Sequence, residues 1–424
     1  MESYRRRVID DELDALFAQL PALLLDGPKH VGKTATGLQR CATIRRLDDP
    51  VQAAIADASP DEALSGHRPV LLDEWQRVPS TWDAVKRAVD RDSTPGQVLL
   101  TGSPPFGQAR THSGAGRIQT LRMRPMTLPE RGVCTPSVSL GALLAGTGDR
   151  VGGNSPLGLG DYVDEILRSG LPGLGGLSGR ALRTWLDGYL ERIVDRDLPE
   201  AGLAVRRPAT VRAWLRAYAA ATSTTTSWEK IRDAASAGND HKPAKTTTLP
   251  YIDTLSSLRV LDDLEAWIPG TNHLKRLTRG PKHHLADPAL AARLVGVGRA
   301  DLLAGRAGAV ELPRDGTFLG ALFESLAVLS VRVFAQAAEA AVGHLRVEDG
   351  RHEVDLIVER DDGGIVAIEV KLSANVVDVD VRHLLWLRSK VGEQLVDSVV
   401  LCTGPQAYRR KDGIAVVPLA LLGA

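Results

Sequence analysis

Apolar positions along the chain follow changing rhythms, and each change marks a boundary. From Val8 to Leu20, residues Val8, Ile9, Leu13, Leu16, Phe17 and Leu20 form a helical stripe. Short unbroken runs follow: Leu23-Leu24-Leu25, Val70-Leu71-Leu72 and Val98-Leu99-Leu100. Each is too short for a helix and ends in polar residues, which predicts buried strands of a parallel sheet. IRRLDDP and IQTLRM predict two more strands, and ADASPDEAL a short capped helix. Between 141 and 179 the pattern dissolves into GTGDRVGGNSPLGLG and SGLPGLGGLSG around one helical piece, DYVDEILR, a linker composition.

Helical spacing returns in ALRTWLDGYLERIVDRDL and TVRAWLRAYAAAT. SWEKIRDAASAG predicts a helix capped by Ser227 and stopped at Gly238, KTTTLPYIDTLSSL a second helix, and RVLDDLEAWIP a hairpin. Helix, turn, helix and hairpin is the winged-helix order, whose second helix can enter a DNA groove; Lys242, Lys245 and Arg259 lie close by. Such a module serves protein contacts equally well. Last come a long helix, GTFLGALFESLAVLSVRVFAQ, and strands in VGHLRVED, RHEVDLIVE and GIVAIEVKL. The expected architecture is α/β in three domains, 1–150, 151–290 and 291–424.

Composition narrows the classes. The chain has 424 residues, 43% hydrophobic and 25% charged, as in a globular protein. Lys plus Arg equals Asp plus Glu, so no global field attracts nucleic acid or membrane, and any such contact needs a local patch. Cys41, Cys134 and Cys402 stand singly, which excludes a disulfide framework or a zinc site built on cysteine pairs. No apolar run is read as membrane-spanning, and MESYRRRVIDDELD lacks the pattern of a signal peptide. The expectation is a cytoplasmic protein without a membrane partner.

The chemistry concentrates in LLLDGPKHVGKTA. Gly27, Pro28, Lys29, His30, Val31, Gly32, Lys33, Thr34 and Ala35 read G-x-x-x-x-G-K-T-A directly after a strand. Only successive backbone N–H groups can wrap a phosphate chain, and glycines allow that approach. Lys33 is expected to reach the β- and γ-phosphates of ATP, and the Thr34 hydroxyl to ligate Mg²⁺. Asp73 and Glu74 close the second apolar run. Asp73 suits the Mg²⁺ shell, and Glu74 suits activation of the water that attacks the γ-phosphate. Thr101 or Ser103, at the end of the third run, either senses that phosphate or simply ends a strand. Arg117, after SGAG, is the candidate for stabilising transferred phosphate, with a solvated surface arginine as the alternative.

A second constellation lies near the C-terminal end. Glu324 sits within the long helix, Asp355 in RHEVDLIVE, and Glu369 and Lys371 in IVAIEVKL. Strand alternation puts Glu369 and Lys371 on one face, and a hairpin through ERDDGG brings Asp355 to them. Carboxylates from Glu324, Asp355 and Glu369 holding Mg²⁺, with Lys371 orienting water, suit phosphodiester hydrolysis. The competing reading is an amphipathic hairpin with a solvated E-x-K.

In order, GPKHVGKT, VLLDEWQ, LLTGS, SGAGR with LRMRPMTLPE, ILRSGLP, GYLERIVDRDL, PKHHLADPAL, ALFESL, HEVDLIVE and IVAIEVKLS resemble the prokaryotic AAA-type ATPases that carry the C-terminal domain of unknown function 4143. The resemblance implies a P-loop AAA-like core with an extra strand between the two Walker strands. It also implies a helical, winged-helix-like middle and a restriction-endonuclease-like C-terminal domain. Lys33 and Thr34 match the Walker A positions, and Asp73 and Glu74 the Walker B pair. Glu324, Asp355, Glu369 and Lys371 match the nuclease-like positions. ATP and Mg²⁺ are the implied cofactors; DNA and further copies of the chain remain open as partners. The alternative is a nucleotide-gated binding module whose nuclease fold is silent.

Overall fold

The computed structural model describes residues 4–102, 116–148, 150–236, 245–268, 279–304, 317–347 and 350–424, and the backbone alone at 306–307 and 310–311. Helix α1 (Ile9–Phe17) leads into β1 (Ala22–Asp26). Then follow α2 (Lys33–Leu38), β2 (Thr43–Arg46), α3 (Pro50–Ala58), β3 (Val70–Asp73), α4 (Ser80–Arg91), β4 (Val98–Thr101) and β5 (Ile118–Arg122). The five strands are parallel in the order β2-β3-β4-β1-β5. The apolar runs are unbroken because both faces are covered. Leu24, Leu72 and Leu100 pack with Val85 and Val89 of α4, while Leu23, Leu25, Leu71 and Leu99 pack with Ile9, Leu13 and Phe17 of α1. With β4 between β1 and β3, Asp26, Thr101 and Asp73 end side by side at the C-terminal edge, where open α/β sheets bind ligands.

The helix expected over ADASPDEAL begins earlier. Asp49 caps α3 by accepting from the Val51 and Gln52 N–H groups, and Pro50 presets its first turn. The stretch itself supplies only the end of α3 and a single turn at Glu62–Leu64.

Short strands on either side of residue 150 pair with the last domain's strands. Strand β6 (Val138–Ser139), α5 (Leu140–Leu144) and β7 (Gly153–Asn154) join the far end of the chain: β6 pairs with β16 (Leu422–Gly423), and β7 with β14 (Gln406–Arg409). Strands this short carry no periodicity.

The helical middle comprises α6 (Leu159–Arg168), α7 (Gly179–Arg192), α8 (Leu198–Glu200), α9 (Pro208–Ala220), α10 (Trp228–Ala234), α11 (Lys245–Ser257), α12 (Pro288–Val295) and α13 (Arg299–Ala304). A π turn at Ile193–Asp197 joins α7 to α8. Ser227 caps α10 as expected, accepting from the Lys230 N–H, whereas Gly238 and Lys242 lie outside the described residues. RVLDDLEAWIP is one strand of a ribbon, not a hairpin by itself. Val260–Leu264 pairs with Lys282–Ala286, through Leu261 with Leu285 and Leu264 with Lys282.

After a short ladder of β8 (Arg306–Ala307) and β9 (Val310–Glu311), α14 (Phe318–Ala337) opens the last domain. Strands β10 (Ala341–Val347), β11 (His352–Glu359), β12 (Ile365–Val370), β13 (Leu395–Cys402), β14 and β15 (Ala415–Pro418) form the sheet β10-β11-β12-β13-β15-β14-β7, with α15 (Arg382–Val391) between β12 and β13. The β11–β12 hairpin forms through ERDDGG as expected. By length and composition α14 could cross a bilayer, which the sequence reading had not recognised; here most of its residues are buried inside the fold.

Candidate nucleotide site and C-terminal acidic centre

The loop after β1 curls through left-handed backbone at His30 (φ 63°) and Gly32 (φ 107°) into α2. A Cβ at Gly27 would lie 2.3 Å from the Met123 carbonyl oxygen, so only glycine lets the loop pass β5. The Lys33 ammonium donates to the Gly27 and Pro28 carbonyls at 2.7 and 3.0 Å. Burial pushes its pKa down to about 8 against the pull of Glu74, Asp26 and Asp73. The Thr34 and Thr101 hydroxyls both donate to Asp73 Oδ1, at 2.8 and 2.5 Å. Lys33, Thr34, Asp73 and Thr101 are therefore brought together, and Ser103 lies outside the described residues. A hydroxyl and a carboxylate at a strand end are hard oxygen donors, a set that fits Mg²⁺.

Glu74 is held in left-handed backbone (φ 56°), and its Oε2 accepts from Gln76 Nε2 at 2.6 Å. Lys29 and His30 turn their side chains out of the loop. Lys29 pairs with Asp197 at 2.6 Å, and His30 stands edge-on to Trp185 and Tyr189 at 5.2 and 5.9 Å. These two residues offer phosphate only their backbone.

Arg117 is not near the loop. In register Ala22 faces Ile118 and Asp26 faces Arg122, so Arg117 lies at the opposite edge of the sheet, paired with Asp90 at 2.8 Å. Four residues of strand put it about 13 Å or more from the phosphate edge of its own chain. It cannot serve its own site.

Sequence reasoning missed a cluster at the end of β1. Buried Asp26 accepts from Arg259 Nε at 2.6 Å, with Arg122 at 3.9 Å. Arg122, Arg124 and Arg332 converge on Asp262 at 3.5, 3.0 and 3.1 Å. The first strand, the middle ribbon and α14 thus meet directly behind the P-loop. Arg259, expected beside a DNA-reading helix, pairs with Asp26 while remaining partly open to water.

It also missed a cavity of about 340 Å³ opening beside Gly32, Ala35 and Thr36, lined by Tyr4, Arg7 and the 169–173 loop. That loop belongs to SGLPGLGGLSG, whose composition suggested a linker. It is pinned by Asp287, which accepts from the Ser169 hydroxyl at 2.9 Å and the Gly170 N–H at 2.6 Å. The Tyr4 hydroxyl donates to Asp10 at 2.8 Å and lies 3.0 Å from Thr36 Oγ1.

In the last domain Glu324, Asp355 and Glu369 do converge, and the cation among them is Lys282, from PKHHLADPAL. Its ammonium is buried and contacts Glu324 Oε1 at 2.8 Å, Glu353 Oε1 at 2.9 Å and Asp355 Oδ1 at 2.9 Å. Asp355 Oδ2 accepts from the Val370 N–H at 2.9 Å, and Lys371 donates to Glu369 Oε2 at 3.1 Å. Burial holds Glu324 up at about 7 despite Lys282. Burial and then Asp355 push Glu369 well above the usual carboxylate range. Burial would raise Asp355 too, but Lys282 and Lys371 outweigh it and hold that carboxyl low. Among the described residues no three ligand-type side chains already stand at metal-binding spacing. A lone Lys far upstream gave no sequence signal for this role, nor did Glu353.

Comparison with known proteins finds matches to three segments of the chain. Residues 19–131 match an AAA domain, 159–301 a domain of unknown function (DUF8612), and 319–422 a domain of unknown function (DUF4143). Two uncharacterized proteins, Mb2031c of Mycobacterium bovis and Rv2008c of Mycobacterium tuberculosis, are each 27% identical over 285 residues, covering 65% of this chain. The chain spans 56% of the length of these relatives. A solved Walker-type ATPase of Pyrococcus abyssi is similar at 17% identity, over 67% of this chain and 94% of its own, with a TM-score of 0.38. The chain matches an AAA domain ahead of a DUF4143 domain, and its first sheet is a P-loop AAA-like core.

Proposed function

We propose that this ATPase core hydrolyses Mg²⁺-bound ATP at the β1–β3 crevice and passes its nucleotide state to the C-terminal domain. The convergence of Thr34 and Thr101 on one oxygen of Asp73, beside Lys33, carries the reading. Loop N–H groups wrap the phosphates, and Lys33 exchanges two backbone carbonyls for phosphate oxygens. Thr34 and Asp73 would hold Mg²⁺, which would supply positive charge against the phosphates. Glu74, released from Gln76, takes a proton from the attacking water. The cavity beside Ala35 and Thr36 receives the base. Filter binding and phosphate release test this assignment. Lys33→Ala should lose ATP binding, whereas Glu74→Gln should keep it and lose turnover. Undiminished phosphate release by Glu74→Gln would remove Glu74 as the base.

The Lys282 contacts favour the regulatory reading of the C-terminal domain. With an ammonium seated among its carboxylates, the nuclease-like centre is silent and the domain works as a docking or signalling unit. DNA contact would rest on Lys245 and the α11 surface; salt-dependent duplex binding that Lys245→Ala weakens is its test. Assembly of several copies is part of the proposal. Edge strand β2 exposes Ile44 beside Val51 and Ile55 of α3. A strictly monomeric ATP-bound form in light scattering would refute assembly.

A further inference from the structure

A second cavity, of about 380 Å³, lies among the middle helices and has no part in the nucleotide reading. Its size is that of a small-molecule site, and the space between packed helices is a usual place for one. Leu167, Leu177, Leu182, Leu186 and Val297 supply an apolar lining from α6, α7 and the turn after α12. Arg168, Arg183, Arg293 and Arg299 stand around the same space, with Asp164 as the one carboxylate in the lining. Asp164 is taken up by Arg299 at 2.8 Å, and Asp187, outside the lining, by Arg293 at 2.5 Å. Glu165 is shared between Arg168 at 3.3 Å and Arg131 at 3.4 Å. Arg183 is exposed and makes no ion pair among the described residues. The cavity thus sets surplus positive charge beside apolar surface that no side chain covers.

An organic anion with an apolar body satisfies both features. Its oxygens suit the guanidinium forks, and its body takes leucine surface out of water. The cavity also shares a wall with the one beside the P-loop. Arg168 lines both, and the loop that closes the first cavity at Gly175 runs on into Leu177 and Ser178 of the second. Asp287 joins them again. One of its oxygens caps α12 through the N–H of Ala289, a lining residue of the second cavity, at 2.9 Å. The other holds Ser169 and Gly170, which line the first. We propose that the second cavity is an effector site for a small organic anion with an apolar body, and that its occupancy shifts the affinity of the P-loop for nucleotide. The shift rests on the nucleotide reading, whereas binding of the anion does not and is measured without nucleotide.

The experiment titrates octanoate and octyl phosphate into the full-length, nucleotide-free chain by calorimetry, with octanol and octylamine as controls of the same length. One anion should bind per chain, about 10-fold or more tightly than either control, and the tighter of the two tells a carboxylate effector from a phosphate one. Arg183→Glu reverses an exposed charge and should weaken both anions about 10-fold or more while leaving octanol as it was. Leu182→Trp fills the cavity and should abolish binding, with Leu182→Phe as the milder filling if the first does not fold. Saturating octanoate should then shift the affinity for a fluorescent ATP analogue about 5-fold or more, and the analogue should shift octanoate affinity by the same factor. Affinity for the analogue without octanoate reads the P-loop by itself. Octanol binding as tightly as octanoate, or anion binding that survives both Arg183→Glu and a folded filling variant, would overturn the site. Anion binding that leaves the affinity for the analogue unchanged would overturn the effector role.

Discussion

The contact between Asp26 and Arg259 joins residues 233 positions apart, and its two ends differ in burial. The Asp26 side chain is 1% exposed and that of Arg259 36%. Replacing Arg259 by Gln strands a buried carboxylate whose next ion-pair distance, to Arg122, is 3.9 Å. Replacing Asp26 by Asn leaves an arginine that water already reaches. Two unit charges about 4 Å apart attract by about 1 kcal/mol in water and about 4 kcal/mol at an effective dielectric of about 20. With one partner buried and the other partly wet, the coupling should be about 2 kcal/mol. Arg259→Gln should therefore cost more than Asp26→Asn, and the double variant should cost about 2 kcal/mol less than the sum. Hydrogen exchange of peptides spanning 22–36 and 258–264 reads the opening free energy of this junction directly. A coupling below about 0.5 kcal/mol, or Asp26→Asn proving the costlier change, would refute the reasoning that this pair closes the P-loop base against the ribbon.

Other predictions follow from single contacts. Gly27→Ala puts a methyl 2.3 Å from the Met123 carbonyl, a backbone atom that cannot rotate away; stability should fall by about 2 kcal/mol, and ATP affinity should fall with it, read by thermal unfolding with and without nucleotide. Burial, and then Lys282, hold His344 down at about 4, so it is neutral in the fold while the unfolded chain protonates near its ordinary 6.5. Its contribution is complete above about pH 6.5 and is lost as pH falls toward 4, up to about 3 kcal/mol. His344→Gln should flatten the decline of unfolding temperature between pH 7 and 5 relative to wild type, and an unchanged slope would count against the assignment. Tyr4→Phe keeps the ring and removes the hydroxyl near Thr36 Oγ1; the KM for ATP should rise a few-fold with kcat nearly unchanged, and an unaltered KM would separate the cavity from base binding.

The P-loop could be read from the chain alone because its chemistry is local. Gly27, Gly32, Lys33 and Thr34 act through adjacent backbone and side chains, and the buried runs before Asp26, Asp73 and Thr101 mark strand ends by their shortness and polar termini. The β11–β12 hairpin could be read for the same reason: a short turn sets its register, and with it the approach of Asp355 to Glu369. What the tertiary structure decided depends on contacts between distant segments. Arg117 occupies the wrong end of a strand whose start the glycine-rich stretch concealed, and only sheet register reveals that. The Ser169–Gly173 loop has linker composition, yet Asp287 turns it into a cavity wall. Lys282 and Glu353 lie in the motifs PKHHLADPAL and HEVDLIVE, but nothing in either motif joins the two, because a single lysine or glutamate is compatible with any solvated surface. Burying three carboxylates at one point demanded a positive charge, and the sequence reading assigned that charge to a metal. The fold delivers it from a ribbon elsewhere in the chain, since in a buried site electrostatics fixes the sign of the partner but not the segment that supplies it.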